Sequence, residues 1–406
     1  MLLLKLAIRN IFRQRRRSLL TALSMSGGYV LCAIAFSVSE GSYNNAIRFF
    51  TLDHTGHVQI HKGNYLRRPK LHKTIDDPAA LSETLDNNDN IEHHTLRVFA
   101  PALAYSDTDN TQVNVIGVDP TREKRTSRLA KKVTSGNYIS DKVNPDSYYS
   151  AMIGTGIATS LNISIGDELI LISQGADGSV ANDIYIVGAI VGNKDSLDKS
   201  SVFLPLDAAQ EFLSMQGKIH EVAILLKDES KSREFAASLQ KQLPELSIDP
   251  WQIVEETFYM TMQADQQGMQ AMLFIIIFIV FIGVLNTILM SVLERTREFG
   301  VLKAIGTRPK TIVSLITLET ALLSMMSFFV GLVFAIPIIA WFAFVGIELP
   351  EPVDFGGVQL RFFTGEISTY VFATPLAWIM FFALLVCIPA GIRAGRILPT
   401  QAMGSH

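Results

Sequence analysis

The fold is decided by the stretch Glu294-Arg295-Thr296-Arg297-Glu298-Phe299-Gly300-Val301-Leu302-Lys303-Ala304-Ile305-Gly306, which follows directly on an uncharged run from Gln266 to Leu293. A helix needs about 20 mostly apolar residues to cross the hydrocarbon core of a membrane. The uncharged run meets this length, so it predicts a membrane span with a charged helix attached to its end.

Other parts of the chain have the same length and composition, and together they predict four spans. The predicted segments are an amphipathic helix at 1–17, spans at 18–40, 268–293, 311–346 and 367–392, a large domain at 41–267, a helix at 294–310, an outer loop at 347–366 and a tail at 393–406. The fold class is therefore a membrane protein with four transmembrane α-helices and a large domain between the first and second spans.

Basic residues indicate the orientation of these spans, because Lys and Arg in short flanking segments are retained in the cytoplasm. They cluster ahead of the first span, between the second and third, and after the fourth, whereas the loop between the third and fourth spans is mostly acidic. Both termini are therefore expected in the cytoplasm of a multi-pass inner-membrane protein, and the large domain is expected in the periplasm or outside the cell.

The first span has an alternative interpretation as a cleaved signal peptide, since basic residues precede it and Ala33-Ile34-Ala35 imitates a cleavage site. Its uncharged run is long for such a signal, which favours a membrane span. Ahead of it, residues 2–12 are apolar at helical spacing, with Lys5, Arg9 and Arg13 on another face. This pattern predicts an amphipathic helix lying on the inner leaflet.

Alternating apolar and β-branched residues predict strands in the large domain, at 112–118, 168–172, 184–191, 202–204 and 221–226. Helices are predicted at 207–213, with Asp207 as the N-terminal cap, and at 230–243. The domain is thus α+β, in two lobes. Helical spacing at 42–52 and 253–269 further predicts that the first two spans continue outward as a stalk.

Composition excludes several functions for the large domain. The two cysteines, Cys32 and Cys387, fall inside predicted spans, so the domain has no disulfide. The net charge of −3 gives no sign of nucleic-acid binding. No phosphate-binding loop of the form G-x-x-x-x-G-K-[ST] occurs in the chain.

Two patterns resemble a metal site and a dinucleotide-binding site, but a structural role explains each of them better. His57 and His61 share one face of a strand with Gln59, and we expect a solvated strand edge there and not a metal site. Gly154-Thr155-Gly156 lacks the rest of a dinucleotide fingerprint and is expected to form a turn. No catalytic constellation and no metal site are predicted.

Two polar residues inside the predicted spans have functional interpretations, because burying polar groups in lipid is costly. Glu319 could pair with an Arg or Lys of the segment at 294–310, or its side chain could extend to the lipid headgroups. Asn286 is expected to form a hydrogen bond between helices. Gly27, Gly28, Gly283 and Gly331 are expected to allow close helix packing.

The segment at 294–310 is short and helical in pattern, and Gly306 is expected to end it. Its small apolar face is predicted to consist of Phe299, Val301, Leu302 and Ile305. Such a helix suits either a groove on a soluble partner or the lipid headgroups, and the residues alone leave both open.

The run from Leu293 to Gly306 resembles the signature of the FtsX/MacB/LolC-type permeases of ABC transporters. The resemblance extends to the basic start Leu6-Ala7-Ile8-Arg9-Asn10, the arrangement of spans, and the end from Ile388 to Pro399. In that family the loop between the second and third spans is a coupling helix that docks on a separate ATPase subunit. The resemblance thus assigns ATPase coupling to ten consecutive residues: Arg297, Glu298, Phe299, Gly300, Val301, Leu302, Lys303, Ala304, Ile305 and Gly306.

The resemblance also implies the partners and the kind of activity. The chain is expected to have no catalytic residues and no cofactor of its own, with ATP and Mg on a partner ATPase dimer. It is expected to pair with a second copy or a paralogue, and a periplasmic or outer-membrane partner is left open. The favoured activity is release or export of a lipoprotein or another hydrophobic or peptide substrate. The alternatives are a non-transporting regulator of a cell-wall hydrolase and an antibiotic-sensing module.

Overall fold

The computed structural model describes residues 2–13, 15–107, 109–143, 148–194, 196–355 and 358–396. The chain forms two compact units. The first comprises Met1–Asn45, Gln263–Pro352 and Arg361–His406, and the second comprises Ala46–Met262 and Val353–Leu360. We call them the membrane unit and the outer domain.

The regular elements are numbered here in chain order. The α-helices are α1 (Leu2–Arg13), α2 (Arg15–Phe50), α3 (Pro78–Asp86), α4 (Pro120–Thr126), α5 (Thr155–Leu161), α6 (Leu206–Phe212), α7 (Ser232–Gln242), α8 (Trp251–Val254), α9 (Glu256–Glu294), α10 (Thr296–Ala304), α11 (Pro309–Phe344) and α12 (Thr369–Arg396). The strands are β1 (Val58–Lys62), β2 (Ile91–Tyr105), β3 (Asn110–Val118), β4 (Val133–Gly136), β5 (Ser150–Gly154), β6 (Glu168–Gln174), β7 (Val180–Val191), β8 (Ser201–Pro205), β9 (Glu221–Leu226), β10 (Leu246–Pro250), β11 (Ile347–Phe355) and β12 (Val358–Phe363).

Within the described residues, four helical segments are long and apolar enough to cross a membrane: Ser18–Asp53, Glu256–Glu294, Pro309–Phe344 and Thr369–Pro389. The first two helices are longer than the membrane spans predicted from the sequence, which covered only the apolar residues. For the first span, predicted at 18–40, α2 runs from Arg15 to Phe50, and α9 likewise starts well before residue 268. Polar residues continue a helix as long as its backbone hydrogen bonds are unbroken, which is why hydropathy underestimates its length.

The segments predicted as an outer loop and as a tail also contain regular secondary structure. The stretch predicted as an outer loop at 347–366 contains β11 and β12, which form a two-stranded sheet. The predicted tail at 393–406 starts within α12, and its residues from 397 onward lie outside the described part of the chain.

Small residues allow close approach of helices in the membrane unit, as expected for two of the four glycines named for this role. A Cβ at Gly28 would lie 2.7 Å from Cγ1 of Val280 in α9, and one at Gly331 would lie 2.5 Å from the ring of Tyr29. Gly27 and Gly283 have no such neighbour within 4 Å. The close contacts therefore join α2 to α9 and α11 at two particular points.

Six strands of the outer domain close into a ring. The pairings run from β2 to β3, β8, β5, β7, β6 and back to β2, with β3–β8 and β5–β7 parallel and the other four antiparallel. Along β2, β3, β6 and β7 buried side chains largely alternate with more exposed ones, as in a small barrel with a filled interior, whereas β8 is buried at every position and β5 at all but its first. The buried side chains of β2, β3, β6 and β7 include Ala102, Ala104, Val113, Val115, Leu169, Leu171, Tyr185 and Val187.

A second lobe shares β2 with this ring. The first half of β2 pairs with β9, which pairs with β1, which in turn pairs with β10. Since β1 lies near the start of the domain and β9 and β10 near its end, this lobe is built from both ends of the domain, and the ring is inserted between them. The α+β fold predicted from the sequence is confirmed.

Local sequence explains where several helices begin. Asp119 and Pro120 start α4, because the Asp119 carboxylate accepts hydrogen bonds from the backbone N–H groups of Thr121 and Arg122, both at 2.9 Å. The predicted cap at Asp207 is wrong: α6 begins one residue earlier, at Leu206, and has no side-chain cap. The proline at 205 already sets an extended backbone at the helix start.

The glycines at 154 and 156 serve close packing, which corrects the expected turn. The strand β5 ends at Gly154 and α5 begins at Thr155 without an intervening turn. A Cβ at Gly154 would lie 2.1 Å from the backbone oxygen of Asp198, and one at Gly156 would lie 2.7 Å from that of Lys199. Only glycine lets the strand–helix junction approach the 3₁₀ turn Leu197–Ser200 this closely.

The expected solvated strand edge at His57 and His61 is also wrong, because β1 is an internal strand between β10 and β9. His57, Gln59 and His61 are 6%, 4% and 1% exposed. The face expected to meet solvent is covered by aromatic rings: Tyr65 stacks on His61 with a centroid separation of 5.4 Å. Among the described residues, no group of three or more His, Cys, Asp or Glu side chains could hold a metal ion.

Candidate functional site

The short helix α10 lies in the chain between the C-terminal end of α9 and the N-terminal end of α11. One of its faces packs against other helices of the membrane unit. Phe299 is 1% exposed and belongs to the apolar core that also contains Ile312 and Ile316 of α11. Gly300 is buried, and Leu302 packs against the same core. These residues hold the helix in a fixed orientation.

The opposite face of α10 is exposed, which corrects the single apolar face expected from the sequence. Val301 is 47% exposed and Ile305 is 76% exposed, while Phe299 and Leu302 point inward. The reason is helical geometry, because residues two apart lie about 200° apart around the axis. The apolar residues are thus divided between an anchoring face and an outward face.

Charged and small residues complete the outward surface of α10. Its exposed residues are Arg297, Glu298, Val301, Ala304, Ile305 and Gly306, and Lys303 is half-buried. Gly306 ends the helix with φ at +95°, a conformation that favours glycine. The backbone N–H of Thr307 then donates to the carbonyl of Leu302 at 3.0 Å. The exposed surface therefore ends at a fixed turn before Pro309 starts α11.

A buried ion pair anchors the root of α10. The side chains of Arg295 and Glu319 are each 8% exposed, and both terminal nitrogens of Arg295 donate to the Glu319 carboxylate. The Nε of Arg295 also donates to Glu298 at 2.9 Å, and its guanidinium carbon lies 5.1 Å from the ring centroid of Phe299. Of the two interpretations of Glu319, the structure thus shows the pairing with a cation of this segment.

A third residue joins this pair from the amino-terminal helix. The side-chain amide of Asn10 donates to Oε1 of Glu319 at 2.7 Å. We call Asn10, Arg295 and Glu319 the anchor triad. It connects α1, the root of α10 and α11 by hydrogen bonds to a single carboxylate.

The electrostatic balance of the triad keeps Arg295 charged. Burial acts to lower the pKa of its guanidinium, but the hydrogen bonds and the negative charges of Glu319 and Glu298 outweigh this and raise the pKa above its ordinary value. A buried arginine with bidentate carboxylate contacts is geometrically specific, so the triad fixes the position of the helix root.

A cavity of about 30 Å³ adjoins the triad, and its lining includes Asn10, Ser18, Thr21, Arg295 and Glu319. Sites for small organic ligands usually measure about 300–1,000 Å³. This cavity is therefore far too small for a small organic ligand. The region contains charge, hydrogen bonds and close packing around a helix end.

Among the described residues, none forms an interhelical hydrogen bond with the side chain of Asn286, so the bond expected for it stays a prediction. Its side chain is exposed on α9, and no side-chain hydrogen bond to another described residue is present. The neighbouring exposed residues on α9 are apolar, with Ile282 at 51% and Met290 at 57% exposure. A polar group thus lies in the middle of an apolar helix surface.

A buried charge cluster in the outer domain was not recognised from the sequence. Arg97 of β2 donates to Glu123 of α4 at 2.7 and 3.1 Å and to Glu221 of β9 at 3.1 Å. His61 of β1 approaches Glu221 at 3.2 Å. The partners are up to 160 residues apart in the chain, so no local pattern could have revealed them. The cluster links three strands and a helix of the outer domain.

Family models match most of the chain. Residues 18–242 match the MacB-like periplasmic core domain, and residues 271–395 match the FtsX-like permease C-terminal model. The first match covers α2 and most of the outer domain, and the second covers α10 and the spans around it.

Individual proteins show the same relationship. An uncharacterised ABC transporter permease of Methanocaldococcus jannaschii is 24% identical over 220 residues, which is 50% of each chain, so the alignment spans only half of that relative. The lipoprotein-releasing system transmembrane protein LolE of Haemophilus influenzae is 22% identical over 400 residues, covering 95% of this chain and 94% of that one. The crystal structure of the periplasmic region of MacB from Actinobacillus actinomycetemcomitans matches with a TM-score of 0.37 and 12% identity, over 50% of this chain and 92% of that one.

The two family models and the alignment with LolE cover both the spans and the large domain, and they confirm the resemblance drawn from the sequence. The four membrane-spanning helices and the α+β domain between the first two follow the same plan. The large domain is accordingly extracytoplasmic. The chain belongs to the FtsX/MacB/LolC-type family of ABC transporter permeases.

Proposed function

We propose that this chain is a mechanotransmission permease, which couples ATP hydrolysis by a separate ATPase subunit to movement of its own outer domain. The observation that carries the proposal is the division of α10 into two faces. One face is fixed by Phe299 and by the anchor triad at Arg295, and the other exposes Val301 and Ile305. Because the N-terminal end of α10 is held in place in this way, a displacement that a partner imposes on α10 can be passed on to the helices attached to it.

The outward face of α10 has the chemistry of a docking surface for a soluble protein. Exposed apolar residues at positions 301 and 305 are one helical turn apart, and Arg297 lies one turn before them on the same side. Short helices commonly bind by placing such residues into a groove of the partner. We assign that groove to an ATPase subunit, which would carry ATP and Mg, and expect no catalysis on this chain.

Continuous helices support the transmission step. The helix α9 runs without a break from Glu256 to Glu294, and α10 follows it after one residue. The helix α2 is likewise unbroken from Arg15 to Phe50. Unbroken backbone hydrogen bonds let a helix move as one body, so displacement of α10 would be passed along α9 toward its outer end.

The proposed substrate class rests on the relative that matches along nearly its whole length, which is named for lipoprotein release. We propose that the outer domain releases or exports a lipoprotein or another hydrophobic or peptide substrate.

We further propose that two permease chains, identical or paralogous, assemble side by side. Asn286 supports this because a polar side chain exposed to lipid costs free energy that a neighbouring helix can recover through a hydrogen bond. The clusters of Lys and Arg beside α2, α10 and α12 support an inner-membrane orientation with both termini in the cytoplasm.

The test is co-purification of the ATPase with a variant whose outward face is altered. Val301→Glu combined with Ile305→Glu places two charges where an apolar groove is expected, and should weaken ATPase binding by about a hundredfold or more, as for loss of an interface hot spot. Val180→Glu is the control, because Val180 is 80% exposed on the outer domain and should retain the ATPase. Undiminished ATPase recovery with the double variant would refute α10 as the docking helix.

A further inference from the structure

The amino-terminal helix α1 carries three parallel stripes of different chemistry. One stripe is buried: Ala7 is 0% exposed and Ile11 is 9% exposed, and α1 contacts α11. Residues four apart lie close to one line along a helix, so the neighbouring positions define two further stripes beside the buried one. The packing against α11 fixes which way these stripes face.

The stripe next to the buried one is apolar and exposed. Leu4, Ile8 and Phe12 are 43%, 41% and 61% exposed. Three large apolar side chains in a row are costly in water, and a soluble protein would bury them. In a helix that adjoins the first membrane span, the acyl region of a bilayer can cover them.

The third stripe is basic. Lys5, Arg9 and Arg13 are exposed and follow one another at the same spacing of four residues. We call them the basic stripe. An exposed apolar row beside a basic row matches the boundary between acyl chains and phosphate groups, where the two kinds of side chain meet different parts of the same lipid molecules. Zwitterionic headgroups neutralise their own phosphate, whereas anionic headgroups leave its charge for the protein.

We infer that α1 is a binding surface for anionic phospholipids of the bilayer, with the basic stripe on the headgroups and Leu4, Ile8 and Phe12 among the acyl chains. Charge complementarity selects this occupant over a second copy of the chain, whose own α1 would bring the same positive charge. The inference concerns lipid recognition and does not depend on the substrate proposed above.

The position of Asn10 gives this lipid surface a regulatory consequence. Asn10 lies on α1 next to Arg9 of the basic stripe, and its amide donates to Glu319 at 2.7 Å. Glu319 in turn holds Arg295 at the root of α10. Anionic lipid that fixes α1 therefore stabilises the anchor triad, and through it the helix proposed to receive the ATPase.

The experiment measures lipid contact directly at α1 in the full chain. Cys32 and Cys387 are replaced by alanine, and Leu4→Cys is labelled with a fluorophore. The protein is reconstituted in nanodiscs of phosphatidylcholine and phosphatidylglycerol, with bromine quencher on one lipid or the other at equal mole fraction. We expect brominated phosphatidylglycerol to quench at least about twofold more efficiently, since each basic side chain adds to anionic-lipid attraction.

Two variants decide whether the basic stripe is responsible. Lys5→Gln, Arg9→Gln and Arg13→Gln together should bring the quenching ratio to one. The matched control removes three exposed cations from the outer domain, by Lys124→Gln, Arg125→Gln and Lys131→Gln, and should keep the preference.

Other outcomes would overturn the inference. Equal quenching by the two lipids in the parent protein, or a preference that survives in the stripe variant, removes the basic stripe as a lipid site. No quenching by either lipid would place α1 against protein instead. If the stripe variant does not reconstitute, salt decides: the preference in the parent protein should fall at high ionic strength, and a salt-independent preference contradicts a charge-based site. None of these readouts requires an ATPase, so the result is separate from that of the docking test.

Discussion

Neutralising Glu319 should loosen α10 without disturbing the rest of the chain. In Glu319→Gln the shape of the side chain is kept, but Arg295 loses its buried counter-charge. Removing one partner of a buried ion pair costs about 3–5 kcal/mol, because the other charge remains buried and uncompensated. Arg295 keeps Glu298, whose side chain is 45% exposed, so we place the loss at the lower end, about 3 kcal/mol.

The assay is hydrogen exchange of the α10 amides measured by mass spectrometry. Local opening of the helix controls this exchange, and a loss of about 3 kcal/mol corresponds to exchange about a hundredfold faster. Arg297→Gln on the exposed face of the same helix is the control, and should change the opening free energy by less than about 0.5 kcal/mol. Peptides from the outer domain should exchange as before in both variants.

A double variant separates charge pairing from simple packing. Arg295→Met with Glu319→Leu replaces both charges by apolar side chains, which is commonly neutral or stabilising for a buried pair. Its α10 amides should exchange nearly as slowly as those of the parent protein. If Glu319→Gln leaves exchange unchanged, or if the double variant is as fast as the single one, the anchor triad does not hold α10 by its charge.

Two further outcomes are expected. Burial lowers the pKa of His57 to about 4, against an ordinary value near 6.5, so the folded state resists protonation; its contribution is complete above pH 6.5 and falls by roughly 3 kcal/mol as the pH drops to 4. Urea unfolding of His57→Gln should show a shallower loss of stability across that interval, and an identical pH profile would contradict this origin. A cysteine at Ser179, which is exposed on the outer domain, should react with a membrane-impermeant thiol reagent in intact spheroplasts, whereas one at the exposed Ala304 should not; the reverse labelling would invert the proposed orientation.

Features with a local cause were predictable from the sequence. The four spans follow from apolar length alone, and β9 was predicted with its observed bounds because an uninterrupted apolar run, 222–226, follows directly on Glu221. The closing glycine at 306 was also predictable, since it directly follows the helical pattern of α10. In each case the deciding residues are neighbours in the chain.

Features that depend on distant partners were not predictable in the same way. His61 alternates with apolar residues as a solvated edge residue would, yet it is 1% exposed because Tyr65, which also stacks on His220, covers it. Phe299 and Ile305 appear equivalent in a list of apolar residues, but packing against α11 buries the first and leaves the second exposed. Asn10 joins the candidate site through a contact across 309 positions of sequence.

The two polar residues inside the spans have opposite environments, and this difference bears on the proposed assembly. The Glu319 carboxylate accepts hydrogen bonds from Asn10 and Arg295 of its own chain. The free-energy cost of burying this carboxylate is therefore offset without a partner chain. Asn286 is exposed, and a hydrogen bond from another helix would recover its cost. Asn286 lies about 12 Å along α9 from the end at which α10 begins, at 1.5 Å per residue. If a second permease covers Asn286, any displacement that an ATPase imposes on α10 acts on the same helix that forms the contact between permeases. Docking and assembly would then be coupled through α9 itself.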